Sequence, residues 1–158
     1  MPKTKKDAVE KSNLYKTIFN NAGDAMFIHG MNGSFLEFNE AACGKLDYFR
    51  EELLKIGPKD IDAPEYAAQV KGKIKQLQKE GETNMETAHV TKRGKRVPVE
   101  LSSKVVNYKR EKAILSIARD VSARNKLKWA KKRRRRILKN EKREAEFGFT
   151  GHCYAENG

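Results

Sequence analysis

Alternating apolar runs joined by tight turns constrain the fold of this chain more than any other feature. Residues 24–46 read DAMFIHGMNGSFLEFNEAACGKL, which is a short apolar run, a turn of Asn and Gly, a second alternating run and the start of a helix. Residues 117–125 read IARDVSARN, a run that ends in Asp and leads into a basic segment. Because period-two alternation is typical of half-buried strands and Asn-Gly of tight turns, the first stretch predicts a β-hairpin and the second a final strand.

The order of the predicted elements indicates the fold class. Two strands come first, then short helices and one longer helix, then three strands. This order predicts an α+β fold in which a five-stranded antiparallel sheet is covered on one face by helices, with an N-terminal helix and a basic C-terminal helix. The predicted elements are a helix over Lys5–Asn20, strands over Ala25–His29 and Ser34–Asn39, short helices over Glu40–Leu46 and Arg50–Lys55, a longer helix from Asp62 or Pro64 to about Lys79, strands over Thr83–Thr91, Arg96–Val106 and Glu111–Asp120, and a polar helix over Val121–Glu146.

The chain of 158 residues provides room for one ordinary domain with extensions. We divide it into an N-terminal extension (1–12), a domain (13–125), a basic helix (126–146) and a tail (147–158) that is expected to be disordered. Cys43 and Cys153 lie far apart and lack metal-ligand spacing. No apolar stretch approaches the ~20 residues of a membrane span, and the N-terminal residues are polar, so a cytoplasmic protein is expected.

The positive charge is concentrated near the C-terminus. Of the net +13, the segment Lys126–Arg143 carries +10, from eleven Lys or Arg and one Glu, so the other 140 residues carry only +3. Clustered cations bind nucleic-acid phosphates with a strong salt dependence. The candidate nucleic-acid-binding residues are Lys131, Lys132, Arg133, Arg134, Arg135 and Arg136. Attraction to an anionic membrane surface and a simple solvated helix are open alternatives, whereas a coiled coil is disfavoured by charged residues at consecutive a positions.

Four motifs occur in an order and spacing that resemble one protein family. LYKTIFNNAGDAMFIHG resembles a first helix and strand, NGSFLEFNEAACGKLDY a second strand and helix, FREELL a Ser-x-Glu-Glu-Leu step, and ARDVSARNK an Asp-Ile-Thr-Glu-Arg end. Together they resemble the PAS family from about residue 13 to 125. The resemblance implies a sensor in signal transduction. Such a sensor often acts on a downstream signalling protein, in a two-component system or in regulation of transcription. It also implies a homodimer through Leu14, Ile18 and Phe19.

The resemblance also bears on cofactors. Flavin-binding members carry a cysteine in an Asn-Cys-Arg-Phe-Leu-Gln motif and a glutamine on the last strand, but the matching segments read KIGPKDI and KAILSIARD and contain neither. Haem-binding members carry a His on the long helix, where PEYAAQVKGKIKQLQ has none. Flavin and haem are therefore not expected, and the ligand is left unidentified.

The sequence does not favour an enzyme. It has no P-loop, zinc-protease or nucleophile-elbow motif. About 30 residues follow the last motif, which is too few for the catalytic half of a kinase. We therefore expect a non-enzyme.

Nine residues are predicted to contact a ligand. They are Phe27, His29, Phe38, Asn39, Cys43, Val70, Ile74, Met85 and Ser116. By alternation His29 shares a face with Phe27 and would point into the pocket, but the favoured interpretation places it at a solvent edge. Asn39 is interpreted as a helix cap in preference to a ligand contact, and Cys43 as a small core residue in preference to a thiol sensor.

Two hypotheses of different class follow. In the first, the chain is a signal-sensing module that binds a small ligand or a protein partner and relays its state through the helix that begins near Val121. In the alternative, it is a nucleic-acid-associated transcriptional regulator that uses Lys126–Arg143 as its arm. A scaffold whose sheet binds only protein is a third possibility.

Overall fold

The computed structural model describes residues 4–150, and the side chains of residues 4–148. The elements are α1 (Lys5–Asn21), β1 (Ala25–Gly30), β2 (Phe35–Phe38), α2 (Glu40–Leu46), α3 (Arg50–Leu53), α4 (Pro58–Ile61), α5 (Pro64–Ala67), α6 (Val70–Glu80), β3 (Glu82–Val90), β4 (Arg96–Tyr108), β5 (Glu111–Asp120) and α7 (Ser122–Thr150). The strands form one sheet in the order β2-β1-β5-β4-β3, and all neighbours are antiparallel. The predicted fold class is confirmed.

The helical segment between β2 and β3 differs from the prediction in two details. The single helix expected up to Lys79 is divided into α5 and α6, because the Gln69 N–H donates to Tyr66 O at 2.9 Å, an i to i−3 bond that tightens the turn between them. The short helix α4 was not predicted. Pro58 occupies its first position, where a missing N–H costs little, and Asp60 Oδ2 accepts the Gly57 N–H at 2.9 Å.

One face of the sheet carries the core. On β1, alternation directs Ala25, Phe27 and His29 to the same face, and all three are buried. The apolar cluster that Ala25 and Phe27 join also draws residues from α2, α3 and α4, which therefore lie over this face. Its buried members are Ala25, Phe27, Phe35, Phe38, Ala42, Leu46, Leu53, Ile61, Val99 and Ala118.

Asn39 joins three elements through its side chain. Its Oδ1 accepts the Ala42 N–H at 3.1 Å, which caps α2, and also the Met26 N–H of β1 at 3.0 Å. Its Nδ2 donates to Phe19 O in α1 and to Asp24 O, both at 3.0 Å. The residue is fully buried, and its amide makes the four hydrogen bonds of which it is capable. The interpretation of Asn39 as a cap is confirmed.

The chain divides after Val121 into two compact units. The second contains α7, which carries twelve basic and three acidic residues, and whose side chains from 126 to 148 are exposed. The helix includes residues 147–150, so the expectation of disorder is wrong for those four. Residues 151–158, with Cys153, lie outside the described part of the chain. Among the described residues, no helix is long and apolar enough to cross a membrane.

Replacing Asn39 by Ala is expected to lower the free energy of unfolding by about 3 kcal/mol. Loss of the cap costs about 1 kcal/mol, and backbone groups left buried without partners cost about 1–3 kcal/mol more. Urea denaturation followed by circular dichroism measures the change. The matched control is Asn84→Ala at an exposed position of β3, for which a change within about 0.5 kcal/mol is expected. Equal losses in the two variants would contradict the role given to Asn39.

Candidate functional site

A cavity of about 60 Å³ lies between the core face of the sheet and the segment α4–α6. The strand register explains its position, because Thr83 pairs with Ser103, Ser103 with Ser116, and Ser116 with Phe27. Directly paired residues point to the same face, so three small hydroxyl side chains lie side by side and leave space that larger ones would fill. The lining residues are Phe27, His29, Phe35, Pro58, Ile61, Asp62, Val70, Lys73, Ile74, Leu77, Thr83, Met85, His89, Leu101, Ser103 and Ser116.

A row of polar side chains forms the sheet side of the cavity. His29 Nε2 lies 3.2 Å from Ser116 Oγ, which lies 2.8 Å from Ser103 Oγ. Thr83 continues the row, and its Oγ1 is buried with no hydrogen-bond partner among the described residues. Burial lowers the pKa of His29 to about 4, so its ring is neutral near pH 7. Neutral imidazole and hydroxyl groups both donate and accept hydrogen bonds, so this row suits a polar ligand group of either kind.

Asp62 and His89 form a second polar pair in the cavity wall. Asp62 Oδ1 lies 3.5 Å from His89 Nε2, and the two backbones form an isolated β-bridge. Burial raises the pKa of Asp62 to about 6, against the lowering effect of the Lys73 charge. Burial also lowers the pKa of His89 to about 4. Since His89 is neutral near pH 7, the pair is not a salt bridge between two full charges.

Six of the nine residues predicted to contact a ligand line this cavity. They are Phe27, His29, Val70, Ile74, Met85 and Ser116. The favoured placement of His29 at a solvent edge is wrong, because its side chain is buried with 6% of its surface exposed. Alternation defines which residues share a face, but it does not say which face is covered.

The other three predicted residues do not line the cavity. Phe38 is fully buried, but it packs edge-on against Phe35 at 6.3 Å in the apolar cluster. All four hydrogen bonds of the Asn39 side chain are made with backbone groups. Cys43 is partly buried against the same cluster, and burial raises the pKa of its thiol, which agrees with a core role. The structure places these three residues outside the cavity, and their contact with a ligand stays a prediction.

Several polar residues of the cavity were not predicted. Thr83 and His89 lie at period two from Met85 on β3, so the alternation that identified Met85 also indicates them. Ser103 could be assigned to the cavity only if the strand register were known. Asp62 could be assigned only from the tertiary packing of α4 against β3, for which the local sequence gives no signal.

The cavity has the chemistry of a small binding site. Among the residues described, no group of three or more His, Cys, Asp or Glu could hold a metal ion. A volume of 60 Å³ corresponds to about two water molecules, or to about two or three non-hydrogen atoms. Mostly apolar walls with a few polar groups suit reversible binding of a small molecule.

Stability is expected to fall between pH 7 and pH 5 because of the buried histidines. A histidine whose folded pKa lies near 4, below its usual 6.5, contributes stability that is present above pH 6.5 and is lost as the pH falls through 4. Asp62 acts in the opposite sense, since its raised pKa favours the folded state below 3.8 and that contribution is lost as the pH rises through 6.

His29→Asn is therefore expected to lose about 2 kcal/mol less stability than the parent chain between pH 7 and pH 5. Urea unfolding at each pH gives this difference. The imidazole resonance of His29 provides the direct control, because it should not titrate above pH 5. A ring that titrates near pH 6.5 would contradict the burial described here.

Comparison with known proteins agrees with this geometry. Residues 23–123 match the PAS domain family. The chain is 32% identical over 128 residues to a methyl sulfide methyltransferase-associated sensor of Methanosarcina acetivorans, and the match covers 80% of this chain and 13% of that protein. This chain therefore spans a small part of the length of that relative.

Two solved structures are similar in fold. One is the PAS domain of an HTR-like protein from Haloarcula marismortui, with 23% identity and a TM-score of 0.67 over 73% of this chain and 95% of that one. The other is a domain of a sensory box sensor histidine kinase/response regulator from Geobacter sulfurreducens, with 26% identity and a TM-score of 0.63 over 72% and 96%. With a family match over more than half of its length, this chain belongs to the PAS domain family.

Proposed function

We propose that this chain is a cytoplasmic, non-enzymatic sensor module that binds a small molecule in the cavity beneath α6. The observation that supports this most directly is the hydroxyl row on the sheet, in which Thr83 Oγ1 is buried without a partner among the described residues. An unpaired buried hydroxyl is costly, and a ligand with one hydrogen-bonding group would pair it. The expectation that flavin and haem do not bind stays a prediction.

The proposed response is a shift between two packings of α6 against the sheet. Leu77 is the one residue of α6 that is buried, while Val70 and Ile74 are partly exposed. A ligand alters such an equilibrium only if it binds one packing better. From the sheet, the chain continues through Val121, whose N–H donates to Pro98 O at 3.0 Å, directly into α7. We propose that α7 carries the signal to a downstream protein, as in two-component systems or regulation of transcription.

A homodimer through α1 is part of the proposal. Leu14 and Ile18 are 60% and 62% exposed, so the helix presents an apolar surface that a second copy would cover. Phe19 is excluded from this surface, because it is 4% exposed and belongs to the interior.

Ile74→Trp is expected to fill the cavity and to weaken binding of the retained small molecule at least tenfold. Native mass spectrometry of the freshly purified full chain measures both the retained mass and the number of subunits. Leu36→Trp, at an exposed position of β2, is the control and should keep the ligand. Equal retention by both variants would contradict binding in the cavity, and a monomeric parent chain would contradict the dimer.

A second candidate function is nucleic-acid binding by α7. The helix exposes Trp129 among its cations, with 68% of its surface accessible and Lys132 Nζ 5.4 Å from its ring. Exposed aromatic rings stack on bases, and clustered cations bind phosphates. This combination favours single-stranded nucleic acid, as the arm of a regulator.

Replacing Arg133, Arg134, Arg135 and Arg136 by Gln tests the second function. If α7 binds phosphates through these residues, the slope of log affinity against log salt concentration should decrease by roughly 3, since each cation contributes about 0.7 on a single strand. Fluorescence anisotropy with a labelled oligonucleotide measures the slope. Changing Lys55, Lys59, Lys71 and Lys75 to Gln removes the same charge elsewhere and should leave it unaltered. Identical slopes in both variants would exclude a specific role of α7.

A further inference from the structure

A groove on the surface adjoins the cavity. It has a volume of about 740 Å³ and is bounded by the turn between β1 and β2, the segment 54–60, and α5 with α6. Gly57 packs so closely on this turn that a Cβ would lie 2.1 Å from Gly33 O. The two walls are therefore fixed against each other, and the remaining wall is α6.

Val70 and Ile74 line both the groove and the cavity. Residues one helical turn apart lie on one side of a helix, so these two side chains mark the boundary between the two spaces. Leu77 continues towards the cavity, whereas Lys71 and Lys75 continue towards the groove. A molecule that passes between Val70 and Ile74 would have one end in each space.

The groove is cationic. Lys55, Lys59, Lys71 and Lys75 line it and are exposed, and within the described part of the chain none of them forms a salt bridge. The single acid in the lining, Asp60, accepts the Gly57 N–H at 2.9 Å. Elsewhere in the domain several cations are paired with carboxylates. Those pairs are Lys92 with Glu52, Arg96 with Glu65, Lys104 with Glu82, and Arg119 with Asp24.

The cavity is a poor place for a charge. Burial shifts the pKa values of His29, His89 and Asp62 towards their neutral forms, so ionised groups are disfavoured in the interior of the cavity. The one cation of the lining, Lys73, is only half-buried, and its charge already acts on Asp62. An anion inside would also approach the Asp62 carboxylate. A ligand with a charged group is therefore best accommodated with that group in the groove and its apolar part in the cavity.

We propose that the ligand is a short-chain organic anion whose carboxylate lies among the groove lysines and whose apolar tail lies in the cavity. This inference rests on the proposed function, since it names the ligand class of the same site. The volume of about 60 Å³ accommodates about three non-hydrogen atoms, which matches the three-carbon tail of butanoate. The lysines stay hydrated, so their attraction for the carboxylate is modest and depends on salt.

Titration of the full chain with sodium butanoate, followed by methyl NMR of Ile74, Leu77 and Leu101, tests the proposal. Saturable shifts at these cavity residues are expected with butanoate, about tenfold weaker binding with 1-butanol, and none with butylamine. Inorganic phosphate is the control for an anion that has no apolar tail. If phosphate produces the same methyl shifts, the tail is not needed and the proposal is overturned.

Charge-reversal variants distinguish the effect of the groove lysines on binding from the effect of the net charge of the chain. Lys71→Glu/Lys75→Glu should weaken the binding of butanoate about tenfold and leave the binding of 1-butanol unaffected. Lys11→Glu/Lys79→Glu has the same net charge and lies outside the groove lining, so it should bind like the parent chain. Equal effects of the two double variants would overturn the role of the groove.

The outcomes also separate this inference from the proposed function. If butanoate and 1-butanol bind equally well, the anionic ligand class is wrong, and a cavity that binds small molecules remains. If neither binds but Ile74→Trp releases a different retained molecule, the ligand class is again wrong. If neither binds and Ile74→Trp has no effect on retention, both proposals are wrong.

Discussion

The buried amide of Asn39 is the interaction on which the rest of the domain depends. Its side chain accepts the Met26 N–H, and its own N–H donates to Met26 O at 3.1 Å, so β1 is held at two points next to the start of α2. The Nδ2 group of the same amide donates to the carbonyl oxygens of Phe19 and Asp24, where α1 ends and β1 begins. Hydrogen bonds in a low-dielectric interior are strong when complete and costly when incomplete. This arrangement fixes the strand that supplies Phe27 and His29 to the cavity.

The cavity follows from side-chain size in one cross-strand row. Thr83, Ser103 and Ser116 stand where larger residues would close the space between the sheet and α6. The space that they leave is polar on the sheet side, and its opposite side is apolar except for Asp62 and Lys73. Because desolvation penalises ions in such a space, its histidines are neutral at physiological pH, and hydrogen-bonding groups take the place of charges in any recognition there.

The local sequence predicts most of the fold and part of the site, and the division has a physical cause. Alternation and turn residues are short-range signals, so all five strands and the cap at Asn39 could be predicted. Alternation also relates His29 to Phe27, but whether that face is covered depends on helices far along the chain. The contact between Asp62 and His89 joins α4 to β3 and has no local signature. The division between α5 and α6 depends on one i to i−3 hydrogen bond at Gln69, which a smooth helical pattern does not reveal.

The free energy that holds α6 to the sheet can be compared with the free energy of ligand binding. Leu77, the one fully buried residue of α6, contributes roughly 2–3 kcal/mol of apolar burial to the packing of the helix on the sheet. A ligand of about six non-hydrogen atoms can contribute up to ~1.5 kcal/mol per atom, so its contacts are large enough to alter that packing. The sheet, by contrast, is braced by paired strands along its length. A small ligand can therefore change the packing of α6 without disturbing the sheet, and for this reason we place the proposed shift between two packings in this helix.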